Sequence, residues 1–309
     1  MAMVKHSMTN PLTISVLAAL FAVTLWASAP LLVDLASAVP PFQLTSIALL
    51  SGAVAALPLS LRNRRSRQPV PWKWKPVIYL LVPLLVLGAV GAYLVGLGMA
   101  PTAEAALITY TWPVLFIVIS QWLLHGRIAM SVLSGAIIAF AGAALLLAPE
   151  ALENGFSGHM AGYGLALLAG CCWAIYSWIC QAAPVAVAPI MPGLFLLASA
   201  GAVGAGTLSG SPATAPSAMA LLAGMALGLG PYGLAMVAWD LALRSGPTGL
   251  IGSLAYGVPV LAALFLVLAG IATPDWRLPA AAILVVAGAV VASRKKRLQT
   301  QDTVLETPG

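Results

Sequence analysis

Tyrosine and tryptophan are the side chains best placed to do chemistry in this chain, and that chemistry is non-covalent. Trp173, Tyr176, Ser177 and Cys180 follow i, i+3, i+4, i+7 spacing, which is one face of a helix. Tyr232, Met236, Trp239 and Asp240 repeat the pattern. Tyr93, Tyr110, Trp112 and Tyr256 stand in other apolar runs, and Tyr256 shares a face with Ser253 and Val260. A tyrosine hydroxyl inside an apolar run needs a partner, so it belongs against a neighbouring helix or a wet cavity. The expected cavity residues are therefore Tyr93, Tyr110, Trp112, Trp173, Tyr176, Tyr232, Trp239 and Tyr256. Their rings and hydroxyl tips would suit a small amphipathic solute with a flat or greasy side chain. Tyr110 and Trp112 are about 200° apart on a regular helix, so both can face one cavity only if the backbone is distorted just before Pro113. Trp72, Trp74 and Trp276 stand at the ends of apolar runs and read as an interfacial belt.

Bond-making chemistry finds no support. His6, His125 and His159 all lie outside the apolar runs, so no serine has a buried histidine partner. Carboxylates do not cluster as a metal site requires. Cys171, Cys172 and Cys180 share one apolar segment and read as buried free thiols. No catalytic residue, metal or cofactor is expected, and the chain does not read as an enzyme. Lys or Arg inside the spans, which a phosphate-ester carrier would need, is absent. Asp240 and Arg244 read as a helix-end pair. Glu104 reads as a first-turn carboxylate favoured by the helix dipole. Neither marks a midplane proton relay.

The elements that must position these residues follow from composition. The chain has 309 residues, 61% hydrophobic and 7% charged, too apolar for a water-soluble surface. A helix needs roughly 20 apolar residues to cross a bilayer, and about ten such runs occupy nearly all of the chain. They fall at 12–33, 41–61, 76–99, 102–123, 130–148, 161–181, 189–209, 217–243, 248–270 and 278–293. Pro, Gly or charge separates them. The basic residues flank these runs, notably Arg62, Arg64, Arg65, Arg67, Lys73 and Lys75, then Arg294, Lys295, Lys296 and Arg297. That placement sets topology and argues against nucleic acid as a partner. With both termini cytoplasmic, only Arg277 among the 14 basic residues falls outside. Lys5 followed by an apolar run imitates a signal peptide, but the first run belongs to an internal duplication and is expected to stay.

That duplication is offset by 146 positions. Tyr110, Pro113, Val114 and Leu115 recur as Tyr256, Pro259, Val260 and Leu261; Pro101 and Thr102 recur as Pro247 and Thr248; Gly142 recurs as Gly288. Leu25-Trp26-Ala27 returns as Cys172-Trp173-Ala174, and Tyr93 pairs with Trp239. Each half holds five spans, an odd number, so the second half enters the membrane from the opposite side. The expected fold is an all-α polytopic membrane protein of ten transmembrane helices, built as two inverted five-helix repeats around a central cavity. The first repeat covers 1–148, an outer loop 149–154, and the second repeat with a basic cytoplasmic tail 155–309. Pro113 and Pro259, at matching places inside the fourth and ninth spans, are the expected hinge and cavity-shaping residues.

Four segments carry a resemblance over residues 10–295: Leu25-Trp26-Ala27, Ala100-Pro101-Thr102-Ala103-Glu104-Ala105-Ala106-Leu107, Tyr110-Thr111-Trp112-Pro113-Val114-Leu115, and the Gly-Ala pairs at 142–143 and 288–289. The chain resembles the drug/metabolite transporter superfamily with EamA-type repeats, and within it the YddG-type aromatic amino acid exporters. The resemblance implies a ten-helix basket and multi-pass residence in the inner membrane. It also implies export of aromatic and other neutral amino acids, such as Phe, Tyr and Trp and also Thr or Met, by a chain expected to be a monomer in the lipid bilayer. Alternating access is the expected mechanism, with facilitative uniport left open. Efflux of cationic drugs or other small metabolites is the alternative; small multidrug exporters of the superfamily rely on a glutamate in the first helix, where this chain has none. Many EamA repeats also carry Gly-Glu after the fourth helix, where Gly126-Arg127 and Gly270-Ile271 stand here.

Overall fold

Long apolar runs ending at Pro, Gly or charge become helices, because a backbone in lipid must satisfy its polar groups internally. A computed structural model describes residues 10–62, 68–154, 158–211, 213–268, 270 and 273–294. Its helices are α1 (Pro11–Leu35), α2 (Pro41–Arg62), α3 (Trp72–Leu97), α4 (Thr102–Leu124), α5 (Met130–Asn154), α6 (Met160–Ala182), α7 (Ala188–Leu208), α8 (Ala218–Ser245), α9 (Thr248–Leu268) and α10 (Arg277–Ser293). Among the described residues α1 to α9 are long and apolar enough to cross a membrane, and α10 is a shorter apolar helix of 17 residues. No strand occurs among them. Large aliphatic side chains such as Leu17, Val54, Leu84, Leu197, Leu222 and Val286 lie exposed around the outside, as lipid contact requires.

The expected loop 149–154 is corrected. These residues continue α5 to Asn154, since Glu150, Ala151, Leu152 and Glu153 are strong helix formers. The basic residues Lys5, Arg64, Arg65, Arg67, Lys295, Lys296 and Arg297, and His6, lie outside the described residues.

The helix neighbours obey the duplication. α2 packs on α7 and α5 on α10, each helix against its own counterpart. The α1–α8 packing has its equivalent in α6–α3, and α1–α9 in α6–α4. The repeated Gly142 and Gly288 explain themselves at the α5–α10 crossing. A Cβ on Gly288 would lie 2.5 Å from the Gly135 carbonyl oxygen, and one on Gly142 would lie 2.8 Å from the Ala281 carbonyl oxygen. Small residues let two backbones approach where lipid supplies no hydrophobic drive.

Several helices are irregular. α4 runs from Thr102 to Thr109, breaks at Tyr110-Thr111, and resumes at Trp112. α9 breaks at Ala255-Tyr256 between Thr248–Leu254 and Gly257–Leu268. The two breaks share the Tyr110/Tyr256 position of the repeat. α3 contains π-helical turns at Val77–Leu81 and Gly88–Ala92, and α8 one at Gly230–Leu234. Turns of this kind cluster at functional sites in helices.

Candidate functional site

Four tryptophans meet at the centre of the bundle. Trp26 from α1 contacts Trp112 of α4 (ring centroids 6.2 Å apart, nearly perpendicular), Trp173 of α6 (5.8 Å) and Trp239 of α8 (5.1 Å). Trp112 in turn contacts Trp173 at 6.3 Å and Trp239 at 5.7 Å. Tilted and edge-on pairs at these separations are the favoured aromatic geometry. Each of the four indole N–H groups needs an acceptor, and two of these acceptors are built into the fold. Trp239 Nε1 donates to Ser177 Oγ at 3.1 Å. Trp26 Nε1 donates to the Pro231 carbonyl at 2.9 Å. That carbonyl lies in the π turn, where the Ala235 N–H reaches back five residues to Gly230 and shifts the ladder by one.

On one side of this cluster lies a void of about 610 Å³, open solvent included. Its floor is Trp26, Trp112 and Trp173; its walls carry Tyr93, Tyr110, Tyr232, Thr109, Val258, Ala29 and Pro30. None of these lining residues is charged. The broken α4 resolves the 200° problem: the two-residue interruption turns Trp112 back beside Tyr110, and both reach the void. The π turns of α3 and α8 end beside Tyr93 and contain Tyr232, so each delivers a phenol to the same space. Tyr232 is 5% exposed.

Five of the eight expected residues thus line the void: Tyr93, Tyr110, Trp112, Trp173 and Tyr232. Three do not line it. Trp239 and Tyr256 are 0% exposed and Tyr176 is 1% exposed. Tyr176 packs against Trp173 at 6.0 Å, and its hydroxyl lies 4.0 Å from Met191 Sδ. The Tyr256 hydroxyl accepts the Val114 N–H at 3.2 Å and so ties α9 to the restarted segment of α4. Trp26, Ala29, Pro30, Thr109 and Val258 were not among the expected residues. Trp26 had a signal, its pairing with Trp173 in the duplication; Ala29, Pro30 and Val258 carry no polar group in their side chains, and the Thr109 hydroxyl is taken up by the Ala166 carbonyl at 3.1 Å.

The prolines do not bend continuous helices. Pro113 and Pro259 stand in the first turns of Trp112–His125 and Gly257–Leu268, where a missing N–H leaves no intrahelical bond unmade. They start new segments rather than kink old ones.

The floor is sealed beyond the tryptophans. Gly252 of α9 packs directly onto Ile117 and Phe116 of α4. Trp112–His125 and Thr248–Leu254 are in contact, while Thr102–Thr109 and Gly257–Leu268 make no extensive contact across the void. At the sealed end Asp240, 1% exposed, accepts the Ala188 N–H at 3.1 Å and lies 3.5 Å from Arg244 Nε. Arg244 donates to the carbonyls of Ala183 and Val185. The expected helix-end pair therefore also fastens the α6–α7 connection. At the open end Glu104, 0% exposed, accepts the Tyr163 hydroxyl and joins α4 to α6. Glu104 stands in the first turn of its helix, as its position predicts, but is buried rather than solvated. Among the described residues no cluster of ligating side chains could hold a metal, and Cys171, Cys172 and Cys180 are free thiols.

A broken-helix cavity between duplicated halves can now be set beside known proteins. The EamA-like transporter family matches residues 13–148. The aromatic amino acid exporter YddG of Ancylobacter novellus is 32% identical over 273 residues, covering 88% of this chain and 94% of the other. The chain belongs to the EamA-like transporters. A solved crystal structure superposes on this EamA-like chain with a TM-score of 0.77 at 31% identity, covering 91% of this chain and 97% of that one. The family and the relative are those of a multi-pass membrane exporter rather than an enzyme.

Proposed function

We propose that this EamA-like protein exports aromatic and other large neutral amino acids across the inner membrane, by alternating access between its two five-helix repeats. The observation that carries the reading is the void itself: three indoles on its floor, three phenols on its walls and no charge. Indole faces receive a flat or greasy side chain, and phenol hydroxyls offer hydrogen bonds to the ammonium and carboxylate ends. Tyr93, Tyr110, Trp112, Trp173 and Tyr232 are assigned here as substrate contacts, and Trp26 joins them. The amino acid exporter relative supports the same substrate class. Organic cations fit the wall less well, because no lining carboxylate offsets their charge.

The basic residues gather at the sealed end, where Lys73, Lys75, Arg127 and Arg244 lie, and Asp34, Glu104 and Asp275 mark the other. The bias of Lys and Arg to the cytoplasm then makes the sealed end cytoplasmic and the void outward-facing, with both termini inside. The chain divides into repeats at about residues 148–155 and works as a monomer, since the cavity is complete within one chain. Without a charged relay in the void, transport is facilitative.

Vesicles containing the purified protein test this reading. Labelled phenylalanine should move down its gradient, compete with tyrosine and tryptophan, and be indifferent to a pH gradient. Absence of flux above empty vesicles, or competition by tetraphenylphosphonium but not by amino acids, would overturn it.

A further inference from the structure

The void lies where the two halves of the duplication differ in bulk. In α6, Trp173 is followed one turn later by Tyr176, whose ring stands edge-on to the indole at 6.0 Å. The counterpart of Trp173 is Trp26, at an offset of 147, and the residue one turn after Trp26 is Ala29. A methyl group thus takes the place of a phenol, and Trp26 and Ala29 both line the void. The second difference is in α9. Trp112 starts its helix segment and reaches the floor, while its counterpart at an offset of 146 is Val258, which also lines the void. At two repeat positions, then, a ring in one half is matched by a small aliphatic side chain in the other. The small member of each pair fronts the same space. A third pair follows the trend: Ser177 accepts the Trp239 indole N–H, whereas its counterpart Pro30, at the offset of 147, has no side-chain oxygen and lines the void.

We infer that the aromatic ring of the solute sits in front of Ala29 and Val258 and packs on Trp26 as Tyr176 packs on Trp173. The solute supplies the ring that Ala29 lacks. The seat is apolar, because the Trp26 N–H is already committed to the Pro231 carbonyl at 2.9 Å and the indole presents ring surface instead. Ala29 and Val258 add only methyl groups. Phenyl, phenol and indole side chains gain an aromatic pair there, in the edge-on or tilted geometry that such pairs favour. A neutral amino acid with a short side chain enters the same void and gains no such pair. Ala29 and Val258 are therefore specificity-determining residues, and they act through small size, since an apolar pocket discriminates by the volume it leaves. The inference rests on the proposed amino acid substrates and goes beyond them in placing the side chain and naming the residues that set its size.

Ala29→Phe tests the seat by filling it from the chain itself. The full-length protein is melted in detergent, alone and against rising phenylalanine or threonine, and the concentration that half-saturates each melting shift is read. Without solute, Ala29→Phe should melt at or above the parent temperature, because its ring packs on Trp26; a merely damaging substitution would lower it. The half-saturating concentration of phenylalanine should rise about ten-fold, the upper scale of one aromatic pair. The ratio of the phenylalanine to the threonine value should move against phenylalanine by a similar factor. Val258→Phe, from α9, should move the ratio in the same direction, and it decides alone if Ala29→Phe gives no folded protein. Where the parent responds to phenylalanine and not to threonine, loss of the phenylalanine response at an undiminished melting temperature is the deciding result. A folded variant with the parent's phenylalanine response, or one in which both amino acids weaken equally, would overturn the seat. A parent without any phenylalanine response sinks the substrate reading and the seat with it; a responsive parent with equally responsive variants sinks the seat alone.

Discussion

Replacing Trp26 tests the central cluster at the point where packing and recognition coincide. Trp26 touches three other indoles at 5.1 to 6.2 Å and donates to the Pro231 carbonyl at 2.9 Å. Aromatic pairs contribute about 0.5–1.5 kcal/mol each beyond area burial. The three share one ring and are not additive, so their joint loss in Trp26→Ala is about 2–3 kcal/mol. Trp26→Phe keeps a ring against the same neighbours and removes only the indole donor. Its cost is about 1 kcal/mol, the scale of one hydrogen bond between helices in a membrane. In terms of equilibrium this separates a roughly 30- to 150-fold effect from a roughly five-fold one. Two measurements are needed, because the ring is both floor and support. The melting temperature in detergent should fall clearly for Trp26→Ala and slightly for Trp26→Phe. Labelled phenylalanine flux per folded molecule should be lost in Trp26→Ala and retained with a raised KM in Trp26→Phe. If the phenylalanine variant were as damaged as the alanine variant, the hydrogen bond and not ring packing would hold the cluster together. If neither variant changed melting or flux, the cluster would be incidental.

Other consequences are local. Gly252→Leu should wedge the sealed end, because even a Cβ there would lie 2.8 Å from Ile117 Cγ1; thiol labelling of a cysteine at Gln181, at the sealed end of α6, should rise, and an unchanged rate would refute the closure. Gly288→Leu should prevent the α5–α10 crossing, whose backbone atoms already stand where a side chain would begin. Its folded yield in membranes should collapse while Ile283→Leu, on the exposed side of α10, remains normal. Asp240→Ala should leave Arg244 without its carboxylate and the Ala188 N–H without its acceptor, at a cost of about 1–3 kcal/mol; proteolysis within 183–190 should quicken, and wild-type resistance would count against the tie.

The fold was legible because lipid imposes one rule on every span: an apolar run of sufficient length with all backbone groups paired inside it. The ten runs and the inverted duplication follow from counting, and the helix pairs 2–7 and 5–10 agree with it. The site was legible only as a set of residue types. Helical spacing identified Tyr176 and Trp239 as readily as Tyr93 and Tyr232, yet the first two are buried and the last two face the void. Periodicity gives the face of a helix and not the depth at which two halves part. The break at Tyr110 is legible as a contradiction, since Tyr110 and Trp112 cannot share a regular face, whereas nothing in the sequence marks the break at Tyr256; the position of Pro113 suggests a kink where the chain in fact stops and restarts. Glu104 was misjudged because first-turn carboxylates are usually solvated, whereas here Tyr163, 59 positions later, folds over it.

The unequal wear of the duplication argues for where selection for recognition has acted. The pairs that govern crossing geometry, Gly142 with Gly288 and Pro113 with Pro259, kept their identity, because a changed side chain there would collide with backbone or remove a helix start. The pairs around the tryptophans kept aromatic or apolar character but not identity: Tyr93 with Trp239, Trp112 with Val258, Ala29 with Tyr176. A perfectly symmetric pocket would hold a solute equally well from both sides and differ only in the direction it opens. Here the side now open offers the phenols of Tyr93, Tyr110 and Tyr232, while the sealed side holds an indole, Trp239, where its counterpart holds a phenol. Under the proposed alternating access, the affinities presented to the two faces of the membrane would then differ, with their ratio set by these substitutions together with the conformer equilibrium. For a facilitative carrier that difference cannot create a gradient. It can set which face saturates first, and so how steeply export responds to the solute inside.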